Sequence, residues 1–246
     1  MPGHDFRSPR LYVDADLAPA AVIALDRGQA HYLTHVLRLS DGGGVLVFNG
    51  RDGEWRAALA AGRRAATLVV GTQARPQPAP ADLHYVFAPL KSARLDYMVQ
   101  KAVEMGISLL QPVLTQHGQV TRLNTERMRA NAIEAAEQCG ILVLPEIAAT
   151  VPLARYLAER EPGRYLVFCD EGADIADPIA ALRAVPQAAP LAVLIGPEGG
   201  FAEGERAAIL RGDNVVRLAL GPRILRADTA AVAALALVQA AIGDWR

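Results

Sequence analysis

The stretch Leu191 to Glu205, LAVLIGPEGGFAEGE, restricts the possible folds of this chain more than any other. Leu191 to Ile195 are apolar and read as a buried strand, and Gly196, Pro197, Glu198, Gly199 and Gly200 form a loop. A helical pattern opens near Ala202. Strand, glycine loop and helix in that order build the ligand crevice of an α/β sheet. Glycine lets a ligand approach the backbone, and Pro197 stiffens the turn. Glu198 would repel a phosphate, and the spacing matches neither of the common nucleotide-phosphate loops. The loop therefore suits a hydroxyl, an amine or a positive centre. A tight strand-to-helix turn with no ligand is the plain alternative.

A second stretch repeats the arrangement. Leu218 to Ala230, LALGPRILRADTA, runs from a strand into a Gly-Pro loop, then Arg223 and Arg226, then a helix capped by Asp228 or Thr229. If the strands before the two loops are neighbours in a parallel sheet, the loops form two walls of one pocket. Strands are also expected at Leu83–Ala88, Leu109–Leu114, Tyr165–Cys169 and Val215–Leu218. One helix starts under a Ser92 cap, buries Leu95, Met98, Ala102 and Met105, and stops at Gly106; another covers Thr125–Cys139. Such βα units imply an α/β fold with a mostly parallel sheet covered by helices. The last helix, Thr229–Ile242, is apolar all round, which requires burial, and a subunit interface suits it.

The first part, up to about Arg75, has a different rhythm. Arg10–Asp14, VLVFNG, Trp55–Leu59 and Ala66–Val70 read as short strands, Asn49-Gly50 as a hairpin turn and Gln29–Leu39 as a helix. Short strands joined by glycine turns suggest a small β-barrel. The proline-rich Gln73–Ala81 marks a boundary, dividing the chain into domains 1–73 and 74–246. Net charge is −1, so nucleic-acid binding needs a local basic patch. Arg7, Arg10, Arg38, Arg63 and Arg64 are the candidates in the first part, against a reading as solvated surface charges.

Cys139 and Cys169 form no CxxC pattern and suit free thiols in a reducing cytosol, with Cys139 in the core. The N-terminus lacks an apolar signal region, and no apolar run reaches membrane-spanning length. A cytoplasmic protein is the expectation. His31 and His35 share a helix face without a third ligand nearby, so no metal is expected. Lys91, Lys101 and Glu104 either line the crevice or, for the last two, form a solvated ion pair. Glu134, Glu137 and Gln138 are open to the same two readings.

GPEGGF followed by LGPRILRADTA, with KAVEMG and EAAEQCG upstream, resembles the ribosomal small-subunit RNA uracil-N3 methyltransferases of the SPOUT (α/β-knot) superfamily. The resemblance runs over nearly the whole chain, including HYLTHVLRL near the start. It implies a PUA-like RNA-binding β-barrel followed by a trefoil-knotted α/β methyltransferase domain, and a homodimer through the C-terminal domain. It implies S-adenosyl-L-methionine as cofactor and a uridine of 16S rRNA, on the assembled 30S subunit, as substrate. That cofactor carries a sulfonium and an amine but no phosphate, which agrees with the acidic loop.

Leu194, Gly196, Glu198, Gly199, Leu220, Gly221, Ile224, Leu225, Arg226 and Thr229 would surround the cofactor. Arg226 would stabilise the uracil oxyanion, and Glu198 would accept a proton or bind the amine. Arg7, Arg10, Arg38, Lys91 and Lys101 would meet RNA. The chain departs from the family at Asp228, where glutamate is usual, and at Ile141, where arginine is common. QHGQVTR also replaces a serine-rich segment. A ribose 2′-O-methyltransferase and a non-catalytic RNA-binding factor are the competing readings.

Overall fold

Short apolar stretches between glycine turns give the N-terminal part its strands. The computed structural model describes residues 8–62, 66–173 and 177–245. Strands β1 (Arg10–Tyr12), β2 (Val22–Ala24), β3 (Gly44–Phe48), β4 (Glu54–Ala61) and β5 (Ala66–Arg75) form one sheet in the order β1-β3-β4-β5-β2. β1 runs parallel to β3, and the other pairs are antiparallel. Alternate residues point inward, so Val45, Val47, Leu59, Leu68 and Val70 pack with Leu11, Val13, Ile23 and Leu33 in a single core. β2 escaped the sequence reading because three residues carry no periodic signal.

The expected helix Gln29–Leu39 is instead α1 (Arg27–His31) continued by a π-helical turn, Tyr32–Val36. Asp26 caps α1, accepting from Gln29 N, while the Gln29 side chain accepts from Asp26 N. Residues Ile133–Leu144 belong to this β unit together with the chain through Ala79. Ala136 and Leu142 pack with Phe48, and no local pattern announced that.

The α/β unit comprises Pro80–Ala132 and Pro145–Arg246. Its strands are β6 (Leu83–Phe87), β7 (Leu109–Leu114), β8 (Glu146–Ile147), β9 (Val151–Pro152), β10 (Tyr165–Cys169), β11 (Leu191–Ile195) and β12 (Val215–Leu218). The helices that follow α1 are α2 (Ser92–Glu104), α3 (Thr125–Cys139), α4 (Leu153–Glu159), α5 (Pro178–Arg183), α6 (Glu203–Leu210) and α7 (Ala227–Ala241). Strand order is β12-β10-β11-β6-β7-β8, parallel at every pairing, with β9 pairing β7. β11 is buried along its whole length, as a continuous apolar run in a covered parallel sheet should be.

Two caps differ from expectation. Ser92 stands inside α2, where Lys91 occupies the N-cap position without a side-chain bond. Asp228 and Thr229 likewise fall inside α7, whose N-cap is Arg226. Asp228 still favours the helix, because a carboxylate in the first turn meets the positive end of the dipole. Gly106 ends α2's segment at φ +76°, a left-handed geometry that suits glycine. α7 buries one face through Ala231, Ala234, Leu235 and Val238, while Val232, Ala233, Ala236 and Leu237 remain half-buried.

Candidate active site

In parallel α/β sheets the loops after the strand ends gather on one side and form the ligand crevice. Here a cleft of about 390 Å³ opens at the ends of β10, β11 and β12. The condition that the two strands be neighbours is not met, because β10 lies between β11 and β12. The two Gly-Pro loops still face one cleft, and a third loop, after β10, supplies its remaining wall.

Phe168, Ile195 and Leu218 form an apolar floor. Phe201 stands edge-on to Phe168, with ring centroids 5.4 Å apart. A Cβ at Gly196 would meet the Phe201 ring at 2.6 Å, so close packing requires glycine there. Gly200, at φ +69°, needs glycine for its backbone conformation.

The charged groups of the cleft are the carboxylates Asp170, Glu171 and Glu198 and the guanidinium groups of Arg206 and Arg223. Asp170, buried at the end of β10, accepts from Arg206 at 2.8 Å and Arg217 at 2.9 Å. Burial alone would raise its carboxyl; the hydrogen bonds from both arginines and Gly172 N outweigh that and hold it below the usual carboxylate range. Glu171 faces the cleft and is exposed. Glu198 also lines the cleft and is ion-paired with Arg94 in the first turn of α2. Burial pushes the Cys169 thiol up to about 12, so it stays protonated and inert beside the floor.

A smaller hollow of about 30 Å³ flanks the same loop, lined by Lys91, His117, Gln119, Pro197, Glu198 and Gly199 among others. His117 Nδ1 lies 3.2 Å from Gly199 O and 3.1 Å from Gly200 O. The segment is fastened further by Glu205, whose carboxylate accepts from Ala202 N at 3.0 Å and Gln116 N at 2.8 Å.

The structure brings Gly196, Glu198, Leu220, Gly221, Ile224 and Leu225 to the cleft. Gly199 faces the smaller hollow, Leu194 is fully buried within β11, and Thr229 is exposed on α7. Arg226 is exposed, between the lining residues Leu225 and Ala227. Sequence reasoning missed Asp170, Glu171, Phe201 and Arg206. The dipeptide Asp170-Glu171 directly after the FC end of an apolar strand was the available signal.

Among the expected RNA contacts, Arg10 is corrected. Its side chain is 8% exposed, binds Glu54 at 2.7 Å and donates to the carbonyls of Ala136, Glu137 and Ile141. A guanidinium so occupied fastens the β unit internally. Arg38 is exposed at φ +54°, and Lys91 is exposed beside the smaller hollow. Lys101 pairs with Glu104 at 2.6 Å, ten residues along α2 from Lys91 and about 15 Å away by helical rise. Arg7, Arg63 and Arg64 lie outside the described residues.

Glu137 accepts from Tyr12 N at 2.8 Å within the β unit. Cys139 is exposed, not in the core, because it ends α3 on an outward face. The His31 and His35 rings stack at 4.8 Å, and no group of three or more potential metal ligands occurs among the described residues. None of their helices is long and apolar enough to cross a membrane.

Comparison with known proteins gives this geometry a family. The family model for an RNA methyltransferase domain matches residues 77–239, and that for an RNA methyltransferase PUA domain matches residues 25–71. Ribosomal RNA small subunit methyltransferase E of Synechocystis is 30% identical over 235 residues, covering 94% of this chain and 77% of that protein. The Rickettsia conorii protein of the same name is 29% identical over 232 residues, 94% of each chain.

Among solved structures, a Legionella pneumophila protein in complex with bound SAM has a TM-score of 0.82 at 27% identity, over 96% of this chain and 98% of that one. Ribosomal RNA small subunit methyltransferase E from Neisseria gonorrhoeae shares the fold, with a TM-score of 0.84 at 23% identity over 98% and 100% of the two chains. With family models matching both parts and near-complete coverage by relatives of one name, the chain belongs to the RNA methyltransferases of the ribosomal RNA small subunit methyltransferase E family.

Proposed function

We infer that the protein uses S-adenosyl-L-methionine to methylate N3 of a uridine in 16S rRNA on the assembled small ribosomal subunit. The cleft carries this reading. Its floor is apolar, its walls hold the carboxylates Glu171 and Glu198, and its volume of about 390 Å³ lies within the range of small-molecule sites. A ligand with a neutral adenosine end, a cationic sulfonium and an amine beside a carboxylate fits a lining that holds Glu171 and Glu198 together with Arg206 and Arg223. The SAM bound to the Legionella protein and the name of the curated relatives support the cofactor and the RNA.

When bound, the cofactor supplies a methyl group made electrophilic by the sulfonium. Gly196, Leu220, Gly221, Ile224 and Leu225 bring backbone and apolar surface to it, with Gly199 on the adjoining hollow, Leu194 beneath and Thr229 at the start of α7. Arg226 places a positive charge where the uracil oxyanion develops. Glu198, braced by Arg94, attracts the cofactor amine.

Arg7 and Arg38 in the domain of residues 1–73 and Lys91 and Lys101 in the domain of residues 74–246 meet RNA, and the enzyme works in the cytoplasm. Two copies pair through the C-terminal domain, and the half-buried apolar face of α7 supports that pairing.

The test is nucleoside mass spectrometry of unmodified 30S particles incubated with the protein and labelled cofactor. Label in 3-methyluridine is the expected result. Label in a 2′-O-methylated nucleoside would replace the reaction, and failure to bind cofactor in calorimetry would favour a non-catalytic RNA-binding factor. Arg226→Ala should lower turnover about 100-fold, the scale of losing one oxyanion donor.

A further inference from the structure

Removing the N3 proton of uracil requires a base, and the most evident carboxylate in the cleft, Glu198, already has its charge engaged by Arg94. His117 meets the requirement better. Its Nδ1 lies within hydrogen-bonding distance of two carbonyl oxygens, Gly199 O and Gly200 O. Carbonyls only accept, so Nδ1 must carry the hydrogen. In the neutral ring that leaves Nε2 as the acceptor, and a fixed tautomer is what a general base needs. The ring is exposed and borders the hollow that shares Pro197 and Glu198 with the cofactor cleft. At about 30 Å³ the hollow has room for a water, not for a base, so transfer runs directly at its mouth or through one water.

We propose that His117 is the general base for N3, resting on the uracil-N3 reading above. The N3–H bond breaks, its electron pair stays on nitrogen, and the proton passes to Nε2 and then to solvent. The nitrogen pair forms the new bond to the methyl carbon as the carbon–sulfur bond returns its pair to sulfur. The charged groups around the imidazole are Lys91 at the start of α2, Glu198 on the loop it touches, and Glu205 of α6, which holds Gln116 N. The two glycine carbonyls make His117 also a fastener of the cofactor loop, and the test must separate the two roles.

His117→Asn does so, because its side-chain amide retains a donor toward Gly199 and Gly200 while removing the base. The parent must first produce 3-methyluridine from 30S particles; a different product would overturn the N3 reading and this proposal with it. With that product established, His117→Asn should lose turnover 100- to 1,000-fold, within the usual range for general-base catalysis. The acid limb of its pH–rate profile should disappear, and S-adenosylhomocysteine affinity by calorimetry should stay within twofold of the parent. Turnover within threefold of the parent, or an acid limb that persists, would overturn the assignment. A variant that loses cofactor affinity in proportion to turnover would also overturn it, leaving His117 a loop fastener.

Discussion

Glu54 in the β unit and Asp170 beside the cleft are each buried carboxylates held between two arginines, yet the two clusters end differently. Glu54 meets Arg10 and Arg75 at 2.7 Å, and those side chains are only 8% and 16% exposed. Their remaining donors reach main-chain carbonyls: Arg10 to Ala136, Glu137 and Ile141, and Arg75 to Gly140. Those carbonyls lie in the last turn of α3 and just beyond it, where helical partners run out. Around Asp170 the arginines are 39% and 34% exposed, and Arg206 lines the cleft. The same ionic arrangement thus locks one unit shut and leaves guanidinium groups open to solvent at a ligand site in the other. Sealed ion clusters are costly to break because nothing replaces the missing partner, whereas open ones are rescued by water.

That contrast can be broken most directly at Glu54. Glu54→Gln leaves two enclosed guanidiniums without their counter-charge and should cost about 3–5 kcal/mol in urea unfolding. A loss below about 1 kcal/mol would show that the sealed cluster is no different from a surface pair. Asp170→Asn should cost less, about 1–3 kcal/mol, since Arg206 and Arg217 can turn to solvent. It should also weaken S-adenosylhomocysteine binding several-fold by loosening the loop after β10. Equal losses at the two sites would erase the distinction.

The finest comparison is in acid. Burial would raise both carboxyls, but the arginine hydrogen bonds outweigh it, so each titrates below its unfolded value. A carboxylate depressed in the folded state stabilises above its unfolded pKa, about 4, and loses that contribution as pH falls through the folded value. Unfolding free energy should therefore hold steady between pH 7 and 5 with respect to these groups and fall below about pH 4. Each neutralised variant should show a shallower fall than the parent, and slopes identical to the parent would remove the carboxyl in question from the account.

Much of this protein was legible locally. The strands Leu109–Leu114, Tyr165–Cys169, Leu191–Ile195 and Val215–Leu218 and the helix Thr125–Cys139 fall where apolar periodicity places them. Period and run length act over a few residues and need no partner to be read. The Gly-Pro loops were legible too, because only particular residues tolerate a close ring such as Phe201 or a left-handed turn such as Gly200. Helix starts were less so: Ser92 and Asp228 have capping chemistry, but the helices begin one and two residues upstream of expectation.

By itself the sequence determined the element types, the parallel α/β class and the loops that carry the site, since these follow from local sterics and from which faces must leave water. Tertiary structure alone decided that β10 separates β11 from β12, that Ile133–Leu144 joins the β unit, and that Arg10 turns inward. It also decided that Glu198 meets Arg94 and that His117 meets the carbonyls of Gly199 and Gly200. These partners are separated by some 80 to 130 residues, and a side chain's partner at such range is chosen by packing and desolvation, which leave no periodic trace along the chain.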